Sequence, residues 1–150
     1  MSDHAKPLPP DDPANHPFWD GARRGVLMLQ RCLDCGRHRF PAARYCAQCR
    51  GERSEWLATS GTGVVESFCT FHKAYWPGFE REVPYDVVQV RLDEGVRLFS
   101  NLVGVPRGRI KSGMRVRARF DPVTPEVTLV KFVPDTTPAL RATPPPGGGE

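Results

Sequence analysis

The chain has 150 residues, room for one ordinary domain or two very small ones and too few for a large enzyme core. Hydrophobic residues make up 39%, below the usual globular share, and 16 prolines with 14 glycines account for a fifth of the chain. A formal charge of +4 is too weak a basic excess to call for a nucleic-acid partner. No apolar run approaches the ~18 residues of a membrane span, and the N-terminus lacks the basic-then-apolar layout of a signal peptide, so a soluble, cytoplasmic protein is expected.

In chain order, residues 1–16 carry Pro7, Pro9, Pro10 and Pro13 and few large apolar side chains. Such a segment cannot bury enough surface to offset its ordering entropy and is expected to be a disordered tail. The Pro/Gly-rich stretch 135–150 is a second tail on the same grounds. Residues 17–25 form a short helix: Pro17 suits the first turn, Arg23 and Arg24 the C-terminal end, and Gly25 the C′ position. Gly21 weakens that helix, so Phe18 and Trp19 must anchor it on the rest of the fold or on a partner.

A ribbon follows over 26–58, with a strand at 26–31 entering a first cysteine knuckle and a strand at 52–57 leaving a second. Cys32-Leu33-Asp34-Cys35 and Cys46-Ala47-Gln48-Cys49 are two pairs separated by ten residues. A two-residue gap lets both sulfurs of a knuckle face one ion, and two knuckles complete a tetrahedron for Zn²⁺. Gly36 and Gly51 lie where the knuckles turn and are expected to take positive φ. Disulfides are disfavoured without a secretion signal, and a thioredoxin-like redox site needs only one such pair. One structural Zn²⁺ on Cys32, Cys35, Cys46 and Cys49 is therefore expected, closed to water and without chemistry of its own.

Residues 59–134 change to short β-rich runs at 63–71, 85–92, 96–103, 115–120 and 128–133, with Asp93-Glu94-Gly95 as a tight hairpin turn. Five strands in so short a span suit a small closed barrel of the OB type, with a β-sandwich as the alternative. The fold class is thus mainly β: a short helix, a rubredoxin-like zinc ribbon, then a five-stranded OB-fold barrel.

Three features could meet a ligand or partner. The loop after the first barrel strand carries His72, Lys73, Tyr75, Trp76 and Phe79, aromatics that suit a protein interface better than base stacking. The stretch from Arg107 through Arg109 and Lys111 to Arg115, Arg117 and Arg119 contains no acid. Strand alternation puts its last three arginines on one face, where they are solvated or meet phosphates. Asp93 and Glu94, in a turn beside a glycine, suit turn chemistry rather than acid–base work. Cys69 is expected to be a small buried hydrophobe, with His72 on the opposite strand face and unable to serve as its base. No catalytic constellation assembles.

The combined order is distinctive. A Phe-Trp helix is followed by Gly25, Leu27, Leu29, Gln30 and Cys32, then by the two knuckles with Pro41 between them. Trp56, Gly61, Gly63, Val65, Pro84-Tyr85, residues 92–98 and residues 113–116 complete the pattern. Over residues 17–134 this resembles the zinc-ribbon plus OB-fold proteins of acyl-CoA metabolism, domain of unknown function family thirty-five. One departure is Phe132-Val133-Pro134, where the family often carries Phe-Arg-Pro. The resemblance implies a non-catalytic accessory subunit of a thiolase-fold acyl-CoA enzyme, of thiolase or steroid side-chain aldolase type, that orders the partner and lines part of its acyl-CoA channel. It implies a heteromeric complex that meets acyl-CoA through the partner, while hydropathy and charge lead to no expectation of a membrane or nucleic acid. Phe18, Trp19, Tyr75, Trp76 and Phe79 are then the interface candidates, and Lys73, Arg115, Arg117 and Arg119 the candidates for CoA phosphates. The alternatives are a nucleic-acid-binding OB module and a partner of a MaoC-like enoyl-CoA hydratase.

Overall fold

The structure, a computed structural model, describes residues 4–136. Residues 1–3 and most of the expected C-terminal tail lie outside the described residues. The helix expected at 17–25 forms as α1 (His16–Arg23), with Pro17 in its first turn. Its end is a Schellman closure: Val26 N–H donates to Gly21 O at 2.9 Å, Gly25 N–H donates to Ala22 O at 3.0 Å, and Gly25 takes φ 75°. Gly21 has a packing reason to be glycine. A Cβ there would lie 2.4 Å from Met28 Cγ, so its absence lets α1 lie close to the first strand.

Three strands build the ribbon: β1 (Met28–Cys32), β2 (His38–Arg39) and β3 (Ser54–Ala58), antiparallel in the order β2-β1-β3. The register pairs Met28 with Ala58 and Cys32 with Ser54, which sets β3 slightly later than the expected 52–57. The second sheet contains all five expected strands: β4 (Thr62–Phe71), β5 (Tyr85–Leu92), β6 (Arg97–Ser100), β7 (Arg115–Pro122) and β8 (Thr128–Pro134). Their order is β6-β5-β4-β7-β8, all antiparallel.

This sheet curls into a half-barrel, and β6 stops at Ser100 instead of running to 103. Beyond it the two outer strands meet: Ser100 Oγ donates to Val130 O at 2.7 Å, Phe132 N–H to Asn101 O at 3.0 Å, and Val103 N–H to Phe132 O at 2.8 Å. The mainly β OB-fold architecture holds, with the seam stitched only after Ser100.

Helix, ribbon and barrel share one core. Leu27 and Leu29 at the start of the ribbon and Phe18 of α1 are buried together with Val65, Val88, Val90, Val116 and Phe132 of the barrel. Each such side chain stabilises by about 1.5–3 kcal/mol when removed from water. Gly63 permits β4 and β5 to approach: a Cβ there would sit 2.4 Å from Arg91 O.

The expectation for the N-terminal segment changes. Residues 4–15 lie against the fold instead of forming a disordered tail: Lys6 ion-pairs with Glu82 and sits 4.9 Å over the Phe79 ring. Asp12 accepts from Ala14 N–H at 3.0 Å and caps a 3₁₀ turn at Pro13–Asn15. Asn15 Oδ1 then accepts from Ala42 N–H at 2.9 Å, tying the segment to the ribbon. Composition missed this because prolines lower the ordering cost and single polar contacts replace apolar burial. Among the described residues no helix is long and apolar enough to cross a membrane.

Candidate functional site: a four-cysteine centre and an aromatic arm

The two knuckles are near copies. In the first, Gly36 N–H donates to Cys32 O at 2.9 Å with Gly36 at φ 76°; in the second, Arg50 N–H donates to Cys46 O at 2.8 Å with Arg50 at φ 63°. The positive φ expected at Gly51 therefore falls on Arg50. Gly51 is small for another reason: a Cβ there would overlap the Asp34 carboxylate, which Arg53 Nε holds at 3.1 Å.

Cys32 Sγ lies 3.6 Å from Cys49 Sγ, Cys35 Sγ lies 3.6 Å from Cys46 Sγ, and all four sulfurs fall within 4.8 Å of one another. Zn–S bonds of about 2.3 Å in a tetrahedron need sulfurs about 3.8 Å apart, so the donor set fits one Zn²⁺. Backbone N–H groups aim at the sulfurs and favour thiolate. Those of Cys49 and Gln48 hold Cys46 down to about 6, and the N–H of Cys35 is the largest influence lowering Cys32. At Cys49 the Gly51 N–H acts the same way, but burial and the neighbouring thiols win and raise it to about 12. Sulfurs that cannot all ionise together without a cation are what a divalent metal resolves.

Gln30, which the sequence offered only as part of the family pattern, has a role that the pattern did not show. It is a buried amide in an apolar strand, with Nε2 donating to Ser54 Oγ at 3.0 Å and Oε1 accepting from Arg39 Nε at 2.6 Å and Ala43 N–H at 2.9 Å. It fixes the loop between the knuckles. Its polarity beside Leu27 and Leu29 was the available signal.

The interface candidates separate into two groups. Phe18 is only 4% exposed and packs on Phe40 with centroids 4.4 Å apart, so it is core rather than a partner-facing residue. Trp19 is half-buried and lines an apolar groove of about 570 Å³ with Phe40, Phe99 and Val130. Phe79 is half-buried and stacks on Tyr85 at 5.1 Å, and Tyr85 stacks on Phe71 at 5.3 Å. On this base Tyr75 and Trp76 project at 63% and 60% exposure. Lys73 lies 5.4 Å over the Tyr75 ring, in the aromatic arm rather than on the strand that carries the arginine row.

The arginine row alternates as expected, with Arg115, Arg117 and Arg119 exposed and Val116 buried. Arg115 is nevertheless engaged: it forks onto Asp93 at 2.8 and 3.0 Å, and Thr62 donates to the same carboxylate. Asp93 and Glu94 thus do more than shape their turn, since Glu94 accepts from Ser60 N–H at 3.0 Å and Oγ at 3.2 Å. The Arg115 fork, then Thr62, holds Asp93 below the usual carboxylate range. A lowered folded-state pKa stabilises above the unfolded value and is lost as pH falls through the folded one. Asp93→Asn should cost below about 1 kcal/mol at neutral pH, given its exposure, and should flatten the stability profile below about pH 4; thermal melts across pH check both.

Cys69 departs from the expectation of a buried hydrophobe: it is exposed, because the β4–β7 ladder ends at Val64 and leaves the outer half of β4 uncovered on that side. His72 is exposed as well, and no hydrogen bond joins the two among the described residues.

With this geometry in hand, the likenesses to known proteins are specific. Residues 19–55 match the ChsH2 rubredoxin-like zinc ribbon domain and residues 56–121 the ChsH2 C-terminal OB-fold domain. The chain is 36% identical over 118 residues to the 3-oxo-4,17-pregnadiene-20-carboxyl-CoA hydratase alpha subunit of Mycobacterium tuberculosis, covering 79% of this chain but 37% of that protein. It spans only about a third of the length of such relatives. A DUF35 domain-containing scaffold protein of Methanocaldococcus jannaschii is 33% identical over 98 residues, 65% of this chain and 69% of that one. The benzoylsuccinyl-CoA thiolase subunit BbsA of Thauera aromatica is 31% identical over 84 residues, 56% of each. Among solved structures, the Ltp2-ChsH2(DUF35) aldolase superposes with TM-score 0.75 at 35% identity, covering 85% of this chain and 98% of that one. A metal-ready ribbon fused to a curled OB sheet, matched along its length in both sequence and structure, places the chain in the DUF35 family of ChsH2-type zinc-ribbon and OB-fold proteins.

Proposed function

We propose that the chain is a non-catalytic accessory subunit of a thiolase-fold acyl-CoA enzyme, of thiolase or steroid side-chain aldolase type, organising its partner. The observation that carries this is the aromatic arm: Tyr75 and Trp76 stand exposed beside a stacked Phe71–Tyr85–Phe79 base, with Tyr75 edge-on to Phe71 at 6.2 Å, and offer two large aromatic anchors to a partner. The relatives named as a scaffold protein and a thiolase subunit, and the aldolase with the matching chain, support the same reading. The groove between Trp19, Phe40 and Phe99 is apolar enough to line part of an acyl channel once the partner closes it. The single zinc site is structural, and Arg117 and Arg119 remain the row's candidates for CoA phosphates, while Arg115 is held by Asp93.

Desolvating a large aromatic typically dominates interface energy, at about 2 kcal/mol or more on truncation. Trp76→Ala should therefore weaken affinity for the thiolase-fold partner by about thirtyfold, with zinc content and circular dichroism unchanged; Arg117→Ala should do much less. Co-purification and calorimetry check this. Collapse of the isolated fold in Trp76→Ala would make that residue core and remove the arm from the interface.

A further inference from the structure

The outer half of β4 is an open sheet edge. The β4–β5 register shifts at a bulge between Val65 and Ser67, the β4–β7 pairing ends at Val64, and the last outer partners of β4 are Gly113 and Met114, bonded to Val65 at 2.7 and 3.0 Å. From Ser67 to Phe71 the strand pairs with β5 alone, and no backbone bond to its other side occurs among the described residues. Natural edges of this kind are usually blunted by lysine, proline or an inward charge. Ser67, Phe68, Cys69, Thr70 and Phe71 carry none of these, and Phe68 is 45% exposed. The other open edges differ: β3 carries Glu55 and β6 carries Arg97.

The surroundings of this edge are basic. Residues 106–113 border it, running from Arg107, which donates to Pro84 O at 3.0 Å, to Gly113 at Val65. Arg109 and Lys111 on that loop are exposed and have no ion-pair partner among the described residues, and neither has Lys73 beyond the strand's end. Among the acids of β4, β5 and the loop between them, Glu66 pairs with Arg91 and Arg97, Glu82 pairs with Lys6, Asp86 accepts from the Thr70 hydroxyl at 2.6 Å, and Glu80 accepts from Gly78 N–H at 3.1 Å. A second copy paired antiparallel here would bring Lys73 of one chain toward Arg109 and Lys111 of the other, and like charges oppose that. An acidic strand meets no such penalty.

We infer that β4 from Ser67 to Phe71 is a docking edge for an extended acidic segment of the partner protein, added as a sixth strand with its carboxylates toward Arg109, Lys111 and Lys73. This rests on the accessory-subunit reading for the existence of a partner, whereas the peptide test below reads the edge alone and the Trp76→Ala affinity reads the subunit assignment.

The test uses the zinc-loaded full chain, isotope-labelled for amide NMR. The probes are synthetic ten-residue peptides alternating valine or threonine with glutamate, the same with lysine, an N-methylated glutamate version, and a ten-nucleotide oligothymidylate. The glutamate peptide should shift amides of residues 66–71 and 109–111, and both the lysine and the N-methylated peptides should bind about tenfold more weakly or not at all. Arg109→Glu with Lys111→Glu should reverse the preference toward the lysine peptide. The proposal is overturned by no shift at saturating glutamate peptide, by equal binding of all three peptides, by shifts confined to other surfaces, or by tighter oligothymidylate binding at the same amides.

Discussion

Cys46→Ser is expected to abolish zinc binding and unfold the ribbon. Four sulfurs within 4.8 Å of one another, two from each knuckle, are the donor set of a tetrahedral Zn²⁺ site, and serine at one corner removes a thiolate ligand. Structural zinc in small ribbons and fingers contributes an apparent ~10–16 kcal/mol at neutral pH, as much as the whole stability of an ordinary domain. Because Leu27 and Leu29 reach from the ribbon's entry into the barrel core, the damage should spread: amides across 28–58 lose protection and the barrel melts earlier. Elemental analysis and hydrogen exchange on anaerobically purified protein read the two effects. A wild-type chain without zinc, or a Cys46→Ser variant with unchanged protection in β1 and β3, would remove the metal centre from the account.

The second large effect is at Phe18. It joins three units, lying edge-on to Trp19 at 4.9 Å, tilted on Phe40 of the ribbon at 4.4 Å, and within the barrel core. Phe18→Ala should cost about 3–5 kcal/mol, as buried phenylalanine truncations do when the cavity cannot collapse. Trp76→Ala, at an exposed position, should stay within about 0.5 kcal/mol in the isolated chain. Urea titrations of the two variants side by side separate core from surface: equal destabilisation would mean the aromatic arm is structural.

The contrast between these two residues shows what the sequence carried. Strand positions and the cysteine pairing were legible because period-two alternation and a two-residue knuckle gap are local signals. Phe18 was not, since a marginal helix with Phe-Trp can present either ring inward, and only the tertiary packing on Phe40 and the shared core buries Phe18. Cys69 failed for the opposite reason. Its alternating strand suggested burial, but a bulge shifts the register after Val65 and pairing with β7 stops at Val64, and both are fixed by cross-strand register rather than by composition. Arg115 looked free in a row of like charges. Its partner, Asp93, lies 22 residues away in a turn that only the sheet order brings alongside. The N-terminal segment hid in the same manner, held by Lys6, Asp12 and Asn15 through single contacts that leave no periodic trace.

On the proposed function, this chain supports another enzyme and turns over no substrate itself. The most direct measurement is acyl-CoA thioester turnover by the zinc-loaded chain alone, by a thiolase-fold subunit of its own genome alone, and by the two mixed in equal amounts. The chain alone should show no turnover, and the mixture should show binding with altered activity. Turnover by the isolated chain, lost in Cys69→Ala or His72→Ala, would contradict that function.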